Sequence, residues 1–363
     1  MSVASRFGLT DEQLADQTVE VRYPKTVAGR VAHIDADFMS YQASAETKEE
    51  LDGTKPRRTY EEMCARTQRG FEHLRKMVAA ETYVAHITPT GSTKGGRNEQ
   101  AVTLPYQGNR VDRERPELLD AVRHFIGTSC PSMVHLDQEA DDGMAQANYA
   151  ALRDGNSTLS VIVSKDKDLR MVPGLHWDFD AEEIVSVGDS FGSIWIDDTK
   201  SSKTLKGWGT KFFWAQCLMG DAADNIQGLP CVSQKVLSKF HAASKKYLKL
   251  VSKAEDATCT PQHEARLAAM RAEGKTTKKV GAVLAHQLLF WTKNDLQCYS
   301  VVRGLFHQMD AGIDGVKVFI DYRTQEPTTA TRALFGDMLL LWMRRNKNPR
   351  DVLAWLKEER IVK

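Results

Sequence analysis

Three times in its first half the chain runs through a short apolar stretch and breaks directly into carboxylates. VAHI is followed by Asp35 and Asp37, MVHLDQ by Glu139, Asp141 and Asp142, and VIVS by Asp166 and Asp168. An order of strand, acid and helix repeated along a chain implies an α/β fold: a mainly parallel central sheet flanked by helices. In such a sheet, ligand chemistry is expected beyond the carboxyl ends of the strands.

The remaining pattern fits that scheme. Apolar periodicity predicts a long helix over Thr59 to Ala80, and TYVAHIT then reads as a strand. PELLDAVRHFIG reads as a helix with Pro116 in its first turn, and EADDGMAQANYAALRDG as one that stops at Gly155. KFFWAQCLMGDAADNIQGLPCVSQKVLSKFHAASKK predicts two helices around a tight turn, with a lysine run along the second. Residues 1–29 read as an extension with a short helix at Thr10, 30–200 as the α/β core, 201–253 as the two-helix element and 254–363 as mostly helical.

Composition narrows the class. With 42% hydrophobic and 27% charged residues in 363, the chain is globular in type. Lys plus Arg (49) nearly cancels Asp plus Glu (48), so any polyanion-binding surface has to come from segregated charge. The six cysteines are scattered without paired spacing, which predicts reduced thiols and a cytoplasmic protein. No apolar run approaches the roughly 20 residues of a membrane helix.

Carboxylates gathered at one sheet edge repel one another and need cations. All-oxygen donors without His or Cys favour a hard divalent ion, Mg²⁺ first and Mn²⁺ as its substitute. Two such ions suit phosphodiester hydrolysis. Each motif taken alone is also explained blandly: KDKD as a solvated turn, EADD as acids at a helix N-terminus, GDAADN as a turn with an Asx cap. Their common placement is what favours a metal site.

EADD, SKDKDL and GDAADNIQGL, in that order after IDADFMSYQAS, resemble the motifs of the 5′-nuclease (flap endonuclease) family, most of all bacteriophage 5′→3′ exonucleases and the 5′-nuclease domain of bacterial DNA polymerase I. The resemblance spans roughly residues 30–245 and implies a PIN-like nuclease fold with a helix-turn-helix DNA-binding element and a basic arch. It implies that Asp35, Glu139, Asp141 and Asp142 serve one metal ion, and Asp166, Asp168, Asp221 and Asp224 a second. Asp37 is expected to cap a helix instead. The basic segment 89–116 stands where the family has its arch. Arg97 and Arg110 are expected there as cations assisting phosphoryl transfer, with Arg113 on phosphate and Tyr106 stacking on a base. Ser233, Lys235, Lys239, Lys245 and Lys246 are expected to grip duplex backbone, with a K⁺ ion at the helix-turn-helix as a further expectation. Lys165 and Lys167 are expected to face away from the acids, keeping the turn solvated or touching phosphate.

This sequence departs from the family pattern at three places. Thr88 or Thr90 stands where an Asp usually ends the second strand, Gln107 replaces the arch Lys, and Cys231-Val232-Ser233 replaces a Gly-x-Gly. The expected function is a metal-dependent 5′→3′ exonuclease acting on duplex DNA with 5′ ends, nicks or flaps, and on RNA–DNA hybrids in primer removal. A catalytically weakened DNA-binding protein and a PIN-like ribonuclease are the competing readings.

Overall fold

A computed structural model describes residues 23–45, 56–111, 113–188, 190–199, 202–233, 277–278, 280–310 and 319–362. The helix expected at Thr10 and the lysines Lys235, Lys239, Lys245 and Lys246 lie outside them. The chain divides into two compact units, one of residues 1–96, 112–190 and 343–351, the other of 97–111, 191–342 and 352–363. The expected core thus ends near Ser190, gains a short return from the C-terminal region, and lacks the middle of the expected arch.

The first unit is built on a six-stranded sheet of order β3-β2-β1-β4-β5-β6. Its strands are β1 (Val27–Asp35), β2 (Ala80–Ile87), β3 (Ser132–Val134), β4 (Ser160–Val163), β5 (Gly174–Asp178) and β6 (Glu183–Val187). Every pairing is parallel except β5 with β6. All four residues of β4 are buried, as a central parallel strand covered on both faces requires. The strand order reverses at β1, which pairs with β2 on one side and β4 on the other. In parallel sheets ligand sites are found at such a switch point, here the carboxyl ends of β1 and β4.

Helices α1 (Ala36–Ala45), α2 (Tyr60–Met77), α4 (Leu119–Ser129) and α5 (Ala140–Arg153) supply the crossovers. Helix α2 begins where its sequence says it should: Thr59 and Glu62 form a reciprocal capping box. Phe71, Leu74 and Met63 of α2 are buried with Ile34, Ala85, Ile87 and Val161 of the sheet in one apolar core. The hairpin β5–β6 was not expected from sequence.

A polar layer lies on the opposite face of the sheet, since His33 and His86 alternate with the core residues Ala32, Ile34, Ala85 and Ile87. His33 of β1, His86 of β2 and His135 just after β3 are linked by ring-nitrogen hydrogen bonds of 3.0 Å each. His135 continues to the Gln138 amide at 3.1 Å, and Gln138 exchanges bonds with Gln146 of α5. The register of β1 on β2 pairs His33 with Val84, so His86, two residues on, shares its face. Helix α5 passes over the layer at Gly143, where a Cβ would lie 2.2 Å from the His135 ring.

The second unit contains the one-turn helix α3 (Arg97–Gln100), the hairpin β7 (Ile194–Asp197) with β8 (Thr204–Gly207), and α6 (Gly209–Met219). It continues with α7 (Ala282–Leu289), α8 (Asp295–Asp310), α9 (Ala330–Leu341) and α10 (Asp351–Glu358), whose first residue belongs to the other unit. The centre of this unit is aromatic: Phe213 packs edge-on against Trp342 at 5.1 Å, and Trp342 stacks on Trp355 at 4.5 Å. Val232–Ser233 form the two-residue strand β9, antiparallel to β10 (Thr277–Lys278).

Burial lowers the pKa of His33 and His176 to about 4 and that of His86 well below its ordinary value. These imidazoles are neutral in the folded chain and protonate near pH 6.5 when unfolded, so their contribution is complete above that pH and is lost as pH falls toward about 4. Urea unfolding from pH 7 to pH 4 should show the midpoint falling across this window. His176 bonds the Val172 carbonyl through Nε2 at 2.7 Å. His176→Gln keeps a donor there and should show a shallower fall; an unchanged pH profile would deny His176 its part.

Candidate functional site

Asp35 ends β1 and opens α1. Its Oδ1 accepts the Phe38 amide at 3.0 Å, the N-cap geometry expected of Asp37. Its Oδ2 accepts the Ser164 hydroxyl, just beyond β4, at 2.8 Å. Both carboxylate oxygens are therefore oriented, one by each side of the switch point. Ser164 Oγ also accepts the Asp166 amide, and Asp166 Oδ1 accepts the Asp168 amide at 2.8 Å, so the KDKD turn is wound by its own side chains. Asp168 is buried beside the Lys167 ammonium at 3.1 Å.

Asp37 is not a cap. It sits inside the first turn of α1, accepts the Thr88 amide at 3.0 Å and pairs with Arg123 at 3.3 Å. Thr88, one of the departures from the family pattern, has a constructive role: its hydroxyl accepts the Ala140 amide at 2.9 Å and so caps the start of α5 from the end of β2. Glu139 precedes that start, within 3.9 Å of Lys94, and Asp141 follows in its first turn.

The carboxylates of the first unit act on one another. Burial raises the Asp141 pKa well above the ordinary carboxylate range, and Asp166, Asp35, Glu139 and Asp37 raise it further. Burial, then Asp37, lifts Asp35 to about 6 against the hydrogen bonds it accepts. The acids face one another at electrostatic rather than coordination distance. Among the described residues, no three His, Cys, Asp or Glu side chains are already close enough to hold a metal ion. The donor set is nevertheless chemically right for a hard divalent ion, because only a cation lets these groups ionise together.

Asp142 faces elsewhere. It is fully buried, its Oδ1 accepts the Arg344 amide at 3.1 Å, and its Oδ2 lies 3.9 Å from the Arg344 guanidinium. Arg344 in turn donates to the Gly95 carbonyl at 2.9 Å. Gly95 has φ +64, and a Cβ there would lie 1.7 Å from the guanidinium, so glycine is required twice over. The expectation that Asp142 joins the metal set is corrected to a buried ion pair. No local sequence signal marks Arg344 as its partner, 202 residues away.

Two expected arch residues are likewise used inside the second unit. Arg97 is 1% exposed and donates to the Leu340 and Trp342 carbonyls at the end of α9, so it is not the surface cation expected for phosphate. Tyr106 is 7% exposed, which removes its ring from base stacking. Arg110 holds Asp224 at 2.6 Å and the Ala223 carbonyl at 3.1 Å. Gln107 joins on the same carboxylate at 3.0 Å, and Asn109 bonds the Ala222 carbonyl at 2.7 Å. Asp221 is buried and turns its Oδ1 onto the Ala223 amide at 2.7 Å. The GDAADN turn is thus gripped by 105–110, a segment sequence reasoning assigned to DNA. Arg113, by contrast, is exposed.

No family model matches the chain, and no curated protein does. Among solved structures it is similar to the bacteriophage T5 D15 flap endonuclease in complex with DNA and metal ions, at 14% identity and a TM-score of 0.40 over 75% of this chain and 93% of that one. It is similar to the T5 5′-exonuclease with bound zinc at 15% identity and a TM-score of 0.38, over 75% and 93%. The catalytic core of Rad2 with DNA follows at 13% identity and a TM-score of 0.29, over 90% and 92%. At TM-scores below 0.5 such likeness carries no inference about chemistry, which has to come from the residues.

The two kinds of aspartate should separate in metal-free thermal melts at pH 8. The raised pKa of Asp35 means that its charged form destabilises the fold increasingly as pH rises from 3.8 to about 6, and fully above that. Asp35→Asn should therefore raise stability in EDTA by on the order of 2 kcal/mol, and Asp141→Asn should act in the same direction. Asp142→Asn should lower it by about 3 kcal/mol, because Arg344 is left buried without a counter-charge.

Proposed function

We propose that the chain is a metal-dependent phosphodiesterase acting on DNA from its 5′ ends, a 5′→3′ exonuclease with flap-endonuclease activity. The observation that supports this most directly is the approach of Asp35, Glu139, Asp141 and Asp166 at the reversal point of a parallel sheet, with Asp141 held off ionisation by burial and then by the other acids. Asp35, Glu139 and Asp141 would hold one divalent ion, and Asp166 with Asp168 would contribute to a second. Mg²⁺ is the proposed ion and Mn²⁺ its substitute; when bound it supplies an activated water and stabilises the leaving oxygen of a phosphodiester. For Asp221 and Asp224, the ligand role remains a proposal from sequence alone.

The chain's own part is orientation. Ser164 and the Phe38 amide set the plane of the Asp35 carboxylate, and the winding of the KDKD turn fixes Asp166, whose amide bonds the same Ser164 hydroxyl. Thr88 fixes the start of α5, and with it Glu139 and Asp141, to the end of β2. Groups positioned in this way need little rearrangement of the backbone when charge is neutralised.

The burial of Arg97 and Tyr106 removes two of the contacts that favoured DNA, so single-stranded RNA belongs in the test as the substrate of a PIN-like ribonuclease. A 5′-labelled nicked duplex, a 5′-flap duplex, an RNA–DNA hybrid and a single-stranded RNA should be incubated with Mg²⁺, Mn²⁺ or EDTA. Release of short 5′ products from the DNA substrates with either metal, and none in EDTA, is expected. Asp166→Ala with Asp168→Ala should lower turnover by at least about a thousandfold while DNA binding is kept. Undiminished turnover in that double variant would overturn the assignment.

A further inference from the structure

We infer that Lys165 is a phosphate-positioning residue, holding the nucleic-acid strand beside the carboxylate group; the inference rests on the nuclease reading above. Its backbone is fixed on both sides. Ser164 before it bonds Asp35, and Asp166 after it bonds Ser164.

The side chain is exposed, yet its ammonium has a defined seat between two aromatic rings. It lies 5.4 Å from the Phe38 centroid and 4.9 Å from that of Phe179, distances at which a cation is attracted to a ring face. Both rings are anchored independently of the lysine. Phe38 stands in the first turn of α1 with its amide on Asp35, and Phe179 follows β5, packed edge-on at 6.4 Å against the buried Trp177. The neighbouring Lys167 is placed differently, 3.1 Å from Asp168.

A cation at this place answers a physical problem. Several carboxylates at a strand end repel an incoming phosphodiester. A fixed positive charge at the rim offsets that repulsion for the phosphate flanking the one cut. A lysine already ordered by two rings loses less freedom on capturing that phosphate than a mobile one. The competing explanation is that the apolar stem merely covers the rings while the ammonium stays in water.

Lys165→Met separates the two, because it keeps the stem and removes the charge. Binding of a 5′-phosphorylated nicked duplex should be followed by fluorescence anisotropy in Ca²⁺ across a KCl series. The Met variant should melt as the wild type does, bind roughly three- to tenfold more weakly, and lose about one ion from the salt dependence. Lys165→Arg should restore most of the affinity. In Mg²⁺, the Met variant should raise KM more than it lowers kcat. Phe179→Leu should weaken binding in the wild type but add nothing in Lys165→Met. A Met variant that binds as tightly with an unchanged salt slope would overturn the inference while leaving the nuclease reading intact. A wild type that neither binds nor cuts DNA would remove both.

Discussion

The parallel pairing of β1 with β2 on one side and β4 on the other is the constraint on which the first unit depends. Each crossover must leave the sheet at the carboxyl end of one strand and return at the opposite end, so the strand ends on one edge collect the loops and helix starts. Reversal of the strand order at β1 then separates the helices on either side of it. Asp35 bridges the resulting gap through two bonds, to the start of α1 and to Ser164 beyond β4.

Burial of charge divides the polar residues into two populations. Asp142 with Arg344, and Arg97 with the α9 carbonyls, are internal connections, in which every buried charge faces a counter-charge or a carbonyl. Asp141 is the opposite case: burial, and then the carboxylates around it, raise its pKa, and it gains nothing from their proximity in the absence of a cation. A fold tolerates such a group only where the surrounding core supplies stability, and here the core beneath the sheet does so. Strain concentrated at strand ends above a well-packed sheet is what distinguishes this group from the structural ion pairs nearby.

The histidine layer shows how a polar network is placed on the face of the sheet opposite that core. VAHI occurs twice, at residues 31–34 and 84–87, and the two copies lie on adjacent strands. The register, which pairs His33 with Val84, puts both histidines on one face and brings their rings to 3.0 Å. Gly143 and Gln138 complete the layer from α5 and the loop before it, and neither is distinguishable from an ordinary helix or loop residue in the sequence.

By itself the sequence determined the strand–acid–helix order, the capping box at Thr59, the end of α5 at Gly155 and the candidate acids at the strand ends. These follow from local periodicity and from backbone preferences that act over a few residues. Tertiary structure decided which of the charged residues are available for chemistry. Asp142 and Asp141 are adjacent in the chain, yet helix rotation points one at Arg344 and leaves the other among carboxylates. Arg97 and Tyr106 looked like part of a basic arch and are instead buried inside the second unit, because their partners lie more than a hundred residues away. A carboxylate or guanidinium has the same charge in either setting; its surroundings, which no local pattern encodes, determine its use.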